Sequence, residues 1–342
     1  MGIAAASDLK PRGDDAFGSA AASLRSLINA DLELVDEEIG ICLRSQVDLI
    51  PSLAGHLVNA GGKRLRPMLT LAAARLCGYG GADHVKLAAA VELIHGATLL
   101  HDDVVDASVL RRGAATANII WGNKESVLVG DFIFSRAFEL MVAARNLKVL
   151  QILAVASGVI AQGEVLQLAT QKNLDATYDL YLAVVQSKTA ALFAAAAQAG
   201  AAIAGAPLGV EEALKTYGGN LGVAYQLIDD ALDYVGFDAR LGKRTGDDFR
   251  EGKMTLPVVY ALGRADEEDA RFWRRTMGEG VLRPDDFARA RAILDRTGAI
   301  EDTIACARKF ADRAIADLAR VPENAYARAL ADLAATSAAR TA

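Results

Sequence analysis

The chain is poor in cysteine and in positive charge, and each shortage excludes a class of protein. Its 342 residues include three cysteines, at widely separated positions. This number and spacing exclude a disulfide framework and a zinc site, and they predict free thiols in a reducing, cytoplasmic compartment. The formal net charge is −6, so the overall charge gives no reason to expect nucleic acid as a partner.

The sequence also lacks a clear targeting or membrane-spanning segment. Residues 1–22 contain small residues, glycine and mixed charges, with no basic stretch followed by an apolar one. We therefore expect no signal peptide and a disordered lead-in over 1–22. The apolar segment 190–210 is mostly alanine and glycine and is interrupted by Gln198 and Pro207. Because alanine is only weakly apolar, this pattern predicts a tightly packed core helix rather than a membrane span.

Proline is scarce as well, and alternating runs of Val, Ile and Thr that would indicate strands are absent. Only seven prolines occur in the whole chain. Long windows rich in Ala, Leu, Glu, Gln and Arg are separated by glycine-containing breaks, which predicts helices of about 15–30 residues. No linker or shift in composition divides the chain. We expect an all-α bundle with a large central layer, formed by one domain over residues 23–342.

Two acidic motifs stand out among the predicted helices. They are "LLHDDVVD" at 99–106 and "QLIDDALD" at 226–233, and both follow apolar runs. A helix advances by about 100° per residue, so His95, Asp102 and Asp106 share one stripe. Asp229 and Asp233 lie one turn apart in the same way. Each motif can therefore present two carboxylates to one point in space.

Carboxylates placed side by side in apolar surroundings repel one another and need a cation. Magnesium fits this pattern, because it takes oxygen ligands, commonly one or two carboxylates together with substrate phosphates. Zinc or copper would require more histidine or cysteine than these segments contain. A chance cluster of surface acids would explain one such motif more easily than two. The sequence therefore predicts a magnesium-dependent site for a phosphorylated substrate.

Basic residues near the turns supply donors for an anionic substrate. Arginine matches phosphate oxygens with its planar fork, and lysine acts as a point charge. The pattern suggests two diphosphate sites, one on metal ions and one on side chains alone. The candidates are Lys63, Arg64 and Arg66 in "GGKRLRP", Arg111 and Arg112 after the first motif, Lys188 and Thr189 in "QSKTAA", and Lys243 and Lys253 after the second motif.

In this order the motifs are similar to those of the trans-prenyltransferases, the (E)-polyprenyl diphosphate synthases. The resemblance runs from about residue 34 to near the C-terminus. It rests on "GGKRLRP", "ELIHGATLLHDDVVDASVLRRG", "GEVLQL", "SKTAALF", "YQLIDDALDY" and "GKRTGDDFREGKMTLP". It implies an all-α bundle of the isoprenoid-synthase type around a deep central cavity. It also implies a homodimer, and we expect a transient contact with a membrane surface when product is released.

The resemblance implies a role for each matching residue. Its substrates are isopentenyl diphosphate and an allylic diphosphate starter, with about three Mg²⁺ ions when substrate is bound. The catalytic residues implied are Asp102, Asp103, Asp106, Asp229, Asp230 and Lys188. The implied metal ligands are Asp102, Asp106, Asp229 and Asp233. The isopentenyl diphosphate site is implied at Lys63, Arg66, His95 and Arg112. The allylic diphosphate site is implied at Arg111, Lys188, Thr189, Gln226, Lys243 and Lys253. The segment 236–252, with Asp247 and Asp248, is the candidate lid.

Product length depends on the volume below the first motif. Ala97 and Thr98, about one turn before Asp102, are small, whereas short-chain relatives carry aromatic plugs there. This favours an octa- to decaprenyl product for quinone side chains, with decaprenyl slightly ahead. Phe132, Phe138 and Met141 are candidates for the floor of the channel, although plain core packing explains them equally well.

Four other functions compete with this interpretation. A shorter-chain farnesyl or geranylgeranyl diphosphate synthase and a non-catalytic regulatory subunit would both use the same fold. A regulatory subunit is expected to lose acidic ligands, and both motifs here are complete. An HD-type phosphohydrolase needs several clustered histidines, and the chain has four in all. A class I terpene cyclase would not need the second diphosphate anchor at Lys63 and Arg66.

Overall fold

The structure is a computed structural model that describes residues 12–59, 61–111, 113–235 and 245–340. These residues form helices with almost no strand, which confirms the all-α expectation. The helices are α1 (Arg12–Leu27), α2 (Asn29–Cys42), α3 (Leu49–Asn59), α4 (Leu65–Leu76), α5 (Asp83–Val105), α6 (Ala117–Ile120), α7 (Asn123–Ala143), α8 (Leu147–Thr170), α9 (Tyr178–Val185), α10 (Ala191–Ile203), α11 (Leu208–Val235), α12 (Asp247–Glu251), α13 (Leu256–Leu262), α14 (Glu267–Trp273), α15 (Asp286–Thr297), α16 (Ala299–Asp317) and α17 (Ala325–Ser337).

Short irregular elements join some of these helices. A hairpin pairs β1 (Leu110–Arg111) with β2 (Ala114–Ala115) in antiparallel register, directly after α5. A π-helical turn, Gln186–Ala190, lies between α9 and α10, and a second one, Arg274–Gly278, follows α14. A short 3₁₀ helix, Leu318–Arg320, follows α16.

The alanine-rich segment forms the central helix of the bundle. Helix α10 packs against α4, α8 and α11, and its residues are mostly buried. Two glycines allow this close packing: a Cβ on Gly200 would lie 2.3 Å from the carbonyl oxygen of Thr70, and one on Gly218 would lie 2.4 Å from that of Phe193. Small side chains therefore let the backbones approach, which confirms the prediction of a core helix in this segment.

The N-terminal expectation was wrong for residues 12–22. Helix α1 begins at Arg12, and Phe17, Leu24 and the following Ile28 are buried against the core. These apolar residues recur at helical spacing and meet α17 and α4. The segment looked disordered because its apolar content is low, but the few apolar groups lie on one face and find a partner helix. Residues 1–11 lie outside the described part of the chain.

Helices α7 and α8 leave an apolar face in contact with solvent. Helix α8 has a mean hydropathy of 1.7 over its most apolar stretch, yet only 28% of that stretch is buried. By length and composition both α8 and the continuous helical segment Tyr178–Ile203 could cross a membrane, and the second is half buried in the bundle. The exposed side chains on the α7–α8 face are Leu128, Phe138, Val142, Val155, Val165 and Leu168. We call this set the α7–α8 apolar face.

Candidate functional site

Both acidic motifs open onto one cavity of about 710 Å³ in the centre of the bundle. Helix α5 contributes Asp102 to its lining and the residue directly after α5 is Asp106, which also lines it; α11 contributes Asp229 and Asp233. The two motifs are separated by more than a hundred residues in sequence, and the packing of the bundle brings them to one space. The cavity is large enough for a substrate-sized ligand.

The end of α5 divides the first motif into residues with different surroundings. Asp102 lines the cavity, and burial raises the pKa of this carboxyl, helped by nearby Asp106 and opposed by Lys188. Asp103 is almost fully buried on another side of the helix, where Arg111 donates to both of its oxygens over 2.7–3.1 Å. The Asp103 carboxylate therefore anchors the hairpin strand that carries Arg111.

The second motif is fixed by a network of hydrogen bonds across three helices. Asp230 is buried and accepts hydrogen bonds from the Tyr181 hydroxyl and, over 2.8 Å, from Gln226 Nε2. Thr189 Oγ1 donates to Gln226 Oε1 over 2.9 Å. Burial and the neighbouring Asp248 raise the pKa of Asp230. Asp230 therefore holds the residues around the cavity in place.

Asp233 organises the segment that follows the second motif. Its carboxylate accepts the backbone N–H groups of Asp247 and Asp248, at 3.3 and 3.0 Å, at the start of α12. These donors would otherwise be without intrahelical partners, because they belong to the first turn of a helix. The interaction ties α12 to the end of α11.

Three of the cavity-facing carboxylates have a basic side chain near them. Lys188 Nζ lies 3.7 Å from Asp102 and Lys253 Nζ lies 2.9 Å from Asp106. Arg340 Nη2 lies 3.3 Å from Asp229. Burial opposes the charge of Lys253, but Asp248, Asp106 and Glu251 outweigh it and raise its pKa. The acids are therefore charge-compensated by cations of this chain.

A π-helical turn positions Lys188 and Thr189. This turn, Gln186–Ala190, directs both residues to the cavity, and π turns of this kind often occur at functional sites. Gly163 in α8 makes room for it, since a Cβ there would lie 2.8 Å from the backbone nitrogen of Lys188. The next residue, Glu164, accepts a hydrogen bond of 2.6 Å from Lys188 Nζ.

The three described residues implied for the second diphosphate line the same cavity; they are Lys63, Arg66 and His95. Lys63 Nζ lies 4.7 Å from the centre of the Phe17 ring, and the Arg66 guanidinium lies 4.5 Å from that of Phe193. Aromatic rings stabilise cations at this range.

Several predicted residues lie outside the described part of the chain. Arg112 and Lys243 both fall there, as do residues 236–244 of the candidate lid. The rest of that lid is described: Asp247 and Asp248 belong to α12 and line the cavity.

The chain-length candidates occupy different surroundings. Thr98 lines the cavity, whereas Ala97 is fully buried in helix packing. Among the α7 residues that the structure describes, Ile133 lines the cavity, and the three floor candidates do not. Phe132 is half-buried, Phe138 is 37% exposed and Met141 is fully buried in the core. None of the three side chains lines the cavity in this structure, so their role at the floor of the channel stays a prediction.

Three polar residues of the cavity are absent from the site predicted from the sequence. Glu164 lies in the quoted motif "GEVLQL" but was given no role, and Tyr181 lies in a helix without a motif. Arg340 follows the last motif by more than eighty residues, in an alanine-rich helix end that gives no local signal. Only packing brings it to the cavity.

The donor set fits magnesium better than a metal held by protein alone. Within the described residues, no group of three or more His, Cys, Asp or Glu side chains is close enough to hold a metal ion. Magnesium commonly takes one or two carboxylates, keeps water and completes its shell with substrate phosphates. The pairs Asp102–Asp106 and Asp229–Asp233 are suited to an ion that binds together with a diphosphate.

Comparison with known proteins identifies close relatives of this chain. The model of the polyprenyl synthetase family matches residues 47–294. Octaprenyl diphosphate synthase of Escherichia coli (strain K12) is 45% identical over 315 residues, which cover 91% of this chain and 96% of that protein. A decaprenyl diphosphate synthase from Rhodobacter capsulatus superposes with a TM-score of 0.90 at 49% identity, over 94% of this chain and 99% of that one.

A further solved structure is informative about ligands. The polyprenyl synthase from Caulobacter crescentus CB15 was crystallised with calcium and isoprenyl diphosphate, and it superposes with a TM-score of 0.91 at 52% sequence identity. The superposition covers 94% of this chain and 98% of that one. In that relative, a divalent cation and a prenyl diphosphate accompany the same fold.

Proposed function

From the premise that this chain belongs to the polyprenyl synthetase family, we propose that its two acidic motifs hold Mg²⁺ against an allylic diphosphate. The chain is a prenyltransferase that condenses isopentenyl diphosphate successively onto an allylic diphosphate and forms a long-chain all-trans polyprenyl diphosphate. The observation that carries the assignment of the site is the meeting of Asp102 and Asp229, with their cations, in one cavity.

Several side chains of the cavity bind the allylic diphosphate together in this proposal. Lys188 and Lys253 place ammonium groups beside Asp102 and Asp106, so a diphosphate brought to these aspartates accepts hydrogen bonds from both lysines. Arg111, held by Asp103, adds a planar fork that suits phosphate oxygens. Thr189 and Gln226 also line the cavity and are proposed to contact the same diphosphate. Bound Mg²⁺ supplies a Lewis acid that stabilises the charge of the departing diphosphate.

The condensation follows from these placements. The allylic C–O bond breaks, the electron pair leaves with the diphosphate, and the preorganised cations stabilise that charge. The double bond of isopentenyl diphosphate then attacks the allylic carbon. The released diphosphate accepts the proton whose loss from the resulting cation restores a double bond. Apolar residues of the lining, such as Leu99 and Phe193, exclude water that would capture the cation.

The second diphosphate is proposed to lie on Lys63, Arg66 and His95. These residues line the cavity, and Lys63 and Arg66 lie over the rings of Phe17 and Phe193. An isopentenyl diphosphate bound there needs no metal ion, since lysine and arginine supply the positive charge. Arg112, which belongs to the same set by family resemblance, lies outside the described residues.

We propose an octa- to decaprenyl product, a length that the relatives' names favour, and we propose that it serves for quinone side chains. Curated relatives include octaprenyl and nonaprenyl synthases at 41–45% identity. The geranylgeranyl synthase and the short-chain isoprenyl synthase among them are 34% and 39% identical, both below the octaprenyl and nonaprenyl synthases, which favours the longer product.

Synthesis from purified components tests the function. The protein is incubated with labelled isopentenyl diphosphate, farnesyl diphosphate and Mg²⁺, and products are sized by mass spectrometry. Octaprenyl to decaprenyl products are expected, and they should disappear with EDTA. A farnesyl or geranylgeranyl product would favour the short-chain alternative. Product that forms only after a second protein is added would favour the regulatory subunit.

The α7–α8 apolar face supports a homodimer. Leu128 and Val165 are each 67% exposed, and large contiguous apolar patches on monomers mark interaction sites. A second copy of this chain is the occupant we propose, with α8 packed on its symmetry mate. We also propose that the protein is cytoplasmic and that it touches a membrane only while it releases its apolar product.

Sedimentation tests the dimer. Val165→Glu is expected to give a monomer in analytical ultracentrifugation, because a charge cannot be buried unpaired in an apolar interface. Leu208→Glu is the matched control, since Leu208 is exposed at the start of α11 and outside this face. A wild-type protein that sediments as a monomer, or one that requires lipid vesicles to stay in solution, would contradict the proposal.

A further inference from the structure

Arg340, three residues beyond the end of α17, is a buried cation in the catalytic cavity. Its residue exposure is 4%, and it lines the same cavity as Lys63 and Arg66. One of its nitrogens, Nη2, donates to Asp229 Oδ1 over 3.3 Å, which is long for a charge-assisted hydrogen bond. The atoms Nε and Nη1 are buried and have no hydrogen-bond partner within the part of the chain that the structure describes.

Burial of an arginine with two orphan donors costs free energy unless a ligand compensates for it. Guanidinium groups have five N–H donors, and buried polar groups in native proteins are almost always paired. A buried charge without sufficient partners is strongly unfavourable. The orphan donors of Arg340 therefore point to an anion that is bound when the enzyme works.

Aromatic rings place Arg340 on the side of the cavity where the second diphosphate is proposed. The guanidinium lies 4.4 Å from the centre of the Tyr225 ring and 5.5 Å from that of Phe17. Phe17 also underlies Lys63 at 4.7 Å. Tyr225 packs on Phe193, the ring beneath Arg66, with 6.0 Å between ring centres.

These contacts form one aromatic platform beneath three cations. We call Phe17, Tyr225 and Phe193 the aromatic platform, and Lys63, Arg66 and Arg340 lie over it. Contact with these rings stabilises each cation at the cavity. The platform joins the two ends of the chain, because Phe17 belongs to α1 and Arg340 follows α17.

We propose that Arg340 is a further binding residue for the diphosphate of isopentenyl diphosphate, and that Phe17 is its positioning residue. The guanidinium Nε and Nη1 donate to the diphosphate oxygens beside Lys63 and Arg66. This inference rests on the proposed function, because it needs a second diphosphate on this side of the cavity. It adds a residue that no motif contains and gives the N-terminal helix a role in substrate binding.

Steady-state kinetics with each substrate varied separately tests the inference. Arg340→Ala should raise the KM for isopentenyl diphosphate about tenfold to a hundredfold, because a charge-assisted hydrogen bond is lost in a dry site. The KM for the allylic starter should change by less than about twofold. Isothermal titration of isopentenyl diphosphate should show the same loss of affinity. Arg340→Lys should give an intermediate KM, because the charge is kept and the fork is lost.

Phe17 is tested through the residue that it positions. Phe17→Leu should raise the KM for isopentenyl diphosphate by about three- to tenfold. Phe17→Tyr should keep the wild-type KM, because the aromatic ring and not the apolar volume holds the cations. A role limited to packing would lower Tm in both variants without separating the two KM values.

The matched control is Arg328 on α17. It is 65% exposed and pairs only with exposed Glu323 among the described residues, so Arg328→Ala should leave both KM values unchanged. Equal increases in both KM values for Arg340→Ala would overturn the inference and would assign Arg340 to Asp229 instead. An unchanged KM for isopentenyl diphosphate in both Arg340 variants would also overturn it. The proposed function would survive either result as long as wild type makes product, and it would fall separately if wild type makes none.

Discussion

Lys253 donates a hydrogen bond of 2.9 Å to Asp106, although the two residues are 147 positions apart in the chain. This contact closes the cavity between the segment after the second motif and the end of the first. Lys188, from a third segment, forms an ion pair with Asp102, with Nζ 3.7 Å from the carboxylate. Asp102 and Asp106 are thus paired with cations of the same chain, and the same cations are the ones that the proposed chemistry needs for diphosphate.

Replacing Asp102 should separate activity from stability. Asp102→Asn is expected to lower kcat on the order of a thousandfold, because a metal ligand beside the leaving group is lost. Burial raises the pKa of Asp102, so the folded protein disfavours its charged form, and removing the charge should leave Tm equal or higher. Lys188 keeps Glu164 as a partner. Turnover and differential scanning fluorimetry provide the two measurements.

The control for this variant is Asp295→Asn. Asp295 is exposed on α15, and Arg291 lies 4.0 Å away, so neither kcat nor Tm should change. Normal turnover in Asp102→Asn would contradict the metal role.

Gly163→Ala should displace the π-helical turn. The added Cβ would lie 2.8 Å from the backbone nitrogen of Lys188, so the turn must shift. A shift of this size at Lys188 is expected to lower kcat about tenfold to a hundredfold. Gly158→Ala in the same helix meets nothing within 4 Å and should keep its activity. Its stability should rise by up to about 1 kcal/mol, because alanine favours helix. Similar kcat values in both variants would show that the close approach does not position Lys188.

Thr98→Phe should shorten the product. Thr98 lines the cavity, so a phenyl group there removes volume that the growing chain needs. Ala97→Phe must instead fit a ring into a position that is fully buried in packing, which costs about 1–3 kcal/mol. We expect Ala97→Phe to lower Tm and Thr98→Phe to leave it nearly unchanged. Product sizing by mass spectrometry and thermal melts distinguish them, and an unchanged product length in Thr98→Phe would contradict the channel.

Acid should weaken the attachment of α2 to the rest of the bundle. Arg75 donates to both oxygens of Asp31, over 2.6 and 2.7 Å, and His84 Nε2 lies 3.2 Å away. Burial raises the pKa of Asp31, but the hydrogen bonds from Arg75 and the nearby His84 ring outweigh it and lower the pKa below its ordinary value of 3.8. The resulting stability is complete above the unfolded-state pKa and is lost as pH falls through the folded-state value.

Asp31→Asn tests this dependence. At pH 7 the substitution should lower the free energy of unfolding by about 2–3 kcal/mol, because Arg75 loses a charged partner. Below pH 3.8 the difference between variant and wild type should shrink progressively, because the unfolded state binds a proton at Asp31 first. The difference is lost only when the pH falls below the lower folded-state pKa, where folded Asp31 is protonated as well. Denaturant titrations at both pH values give the comparison. A difference that stays constant with pH would mean that the carboxylate charge contributes nothing.

Most of the features of the site that local sequence patterns predict follow from helical periodicity. The pattern of Asp102 and Asp106 placed both on one helix face, and the structure puts both on the cavity. The same reasoning could not tell that Asp103 turns inward to Arg111, since that depends on the hairpin after α5. Nor could it separate Thr98 from Ala97, because rotation of α5 against its neighbours decides which side chain reaches the cavity.

The sequence by itself determined the helical class, the two acidic motifs and the kinds of side chain available for magnesium and diphosphate, because spacing along one helix is a local property. Only the tertiary structure decided that α1 is ordered, that Lys253 reaches Asp106 and that Arg340 reaches Asp229. These contacts join segments far apart in the chain. Their existence depends on which helix faces pack together, and no local pattern encodes that choice.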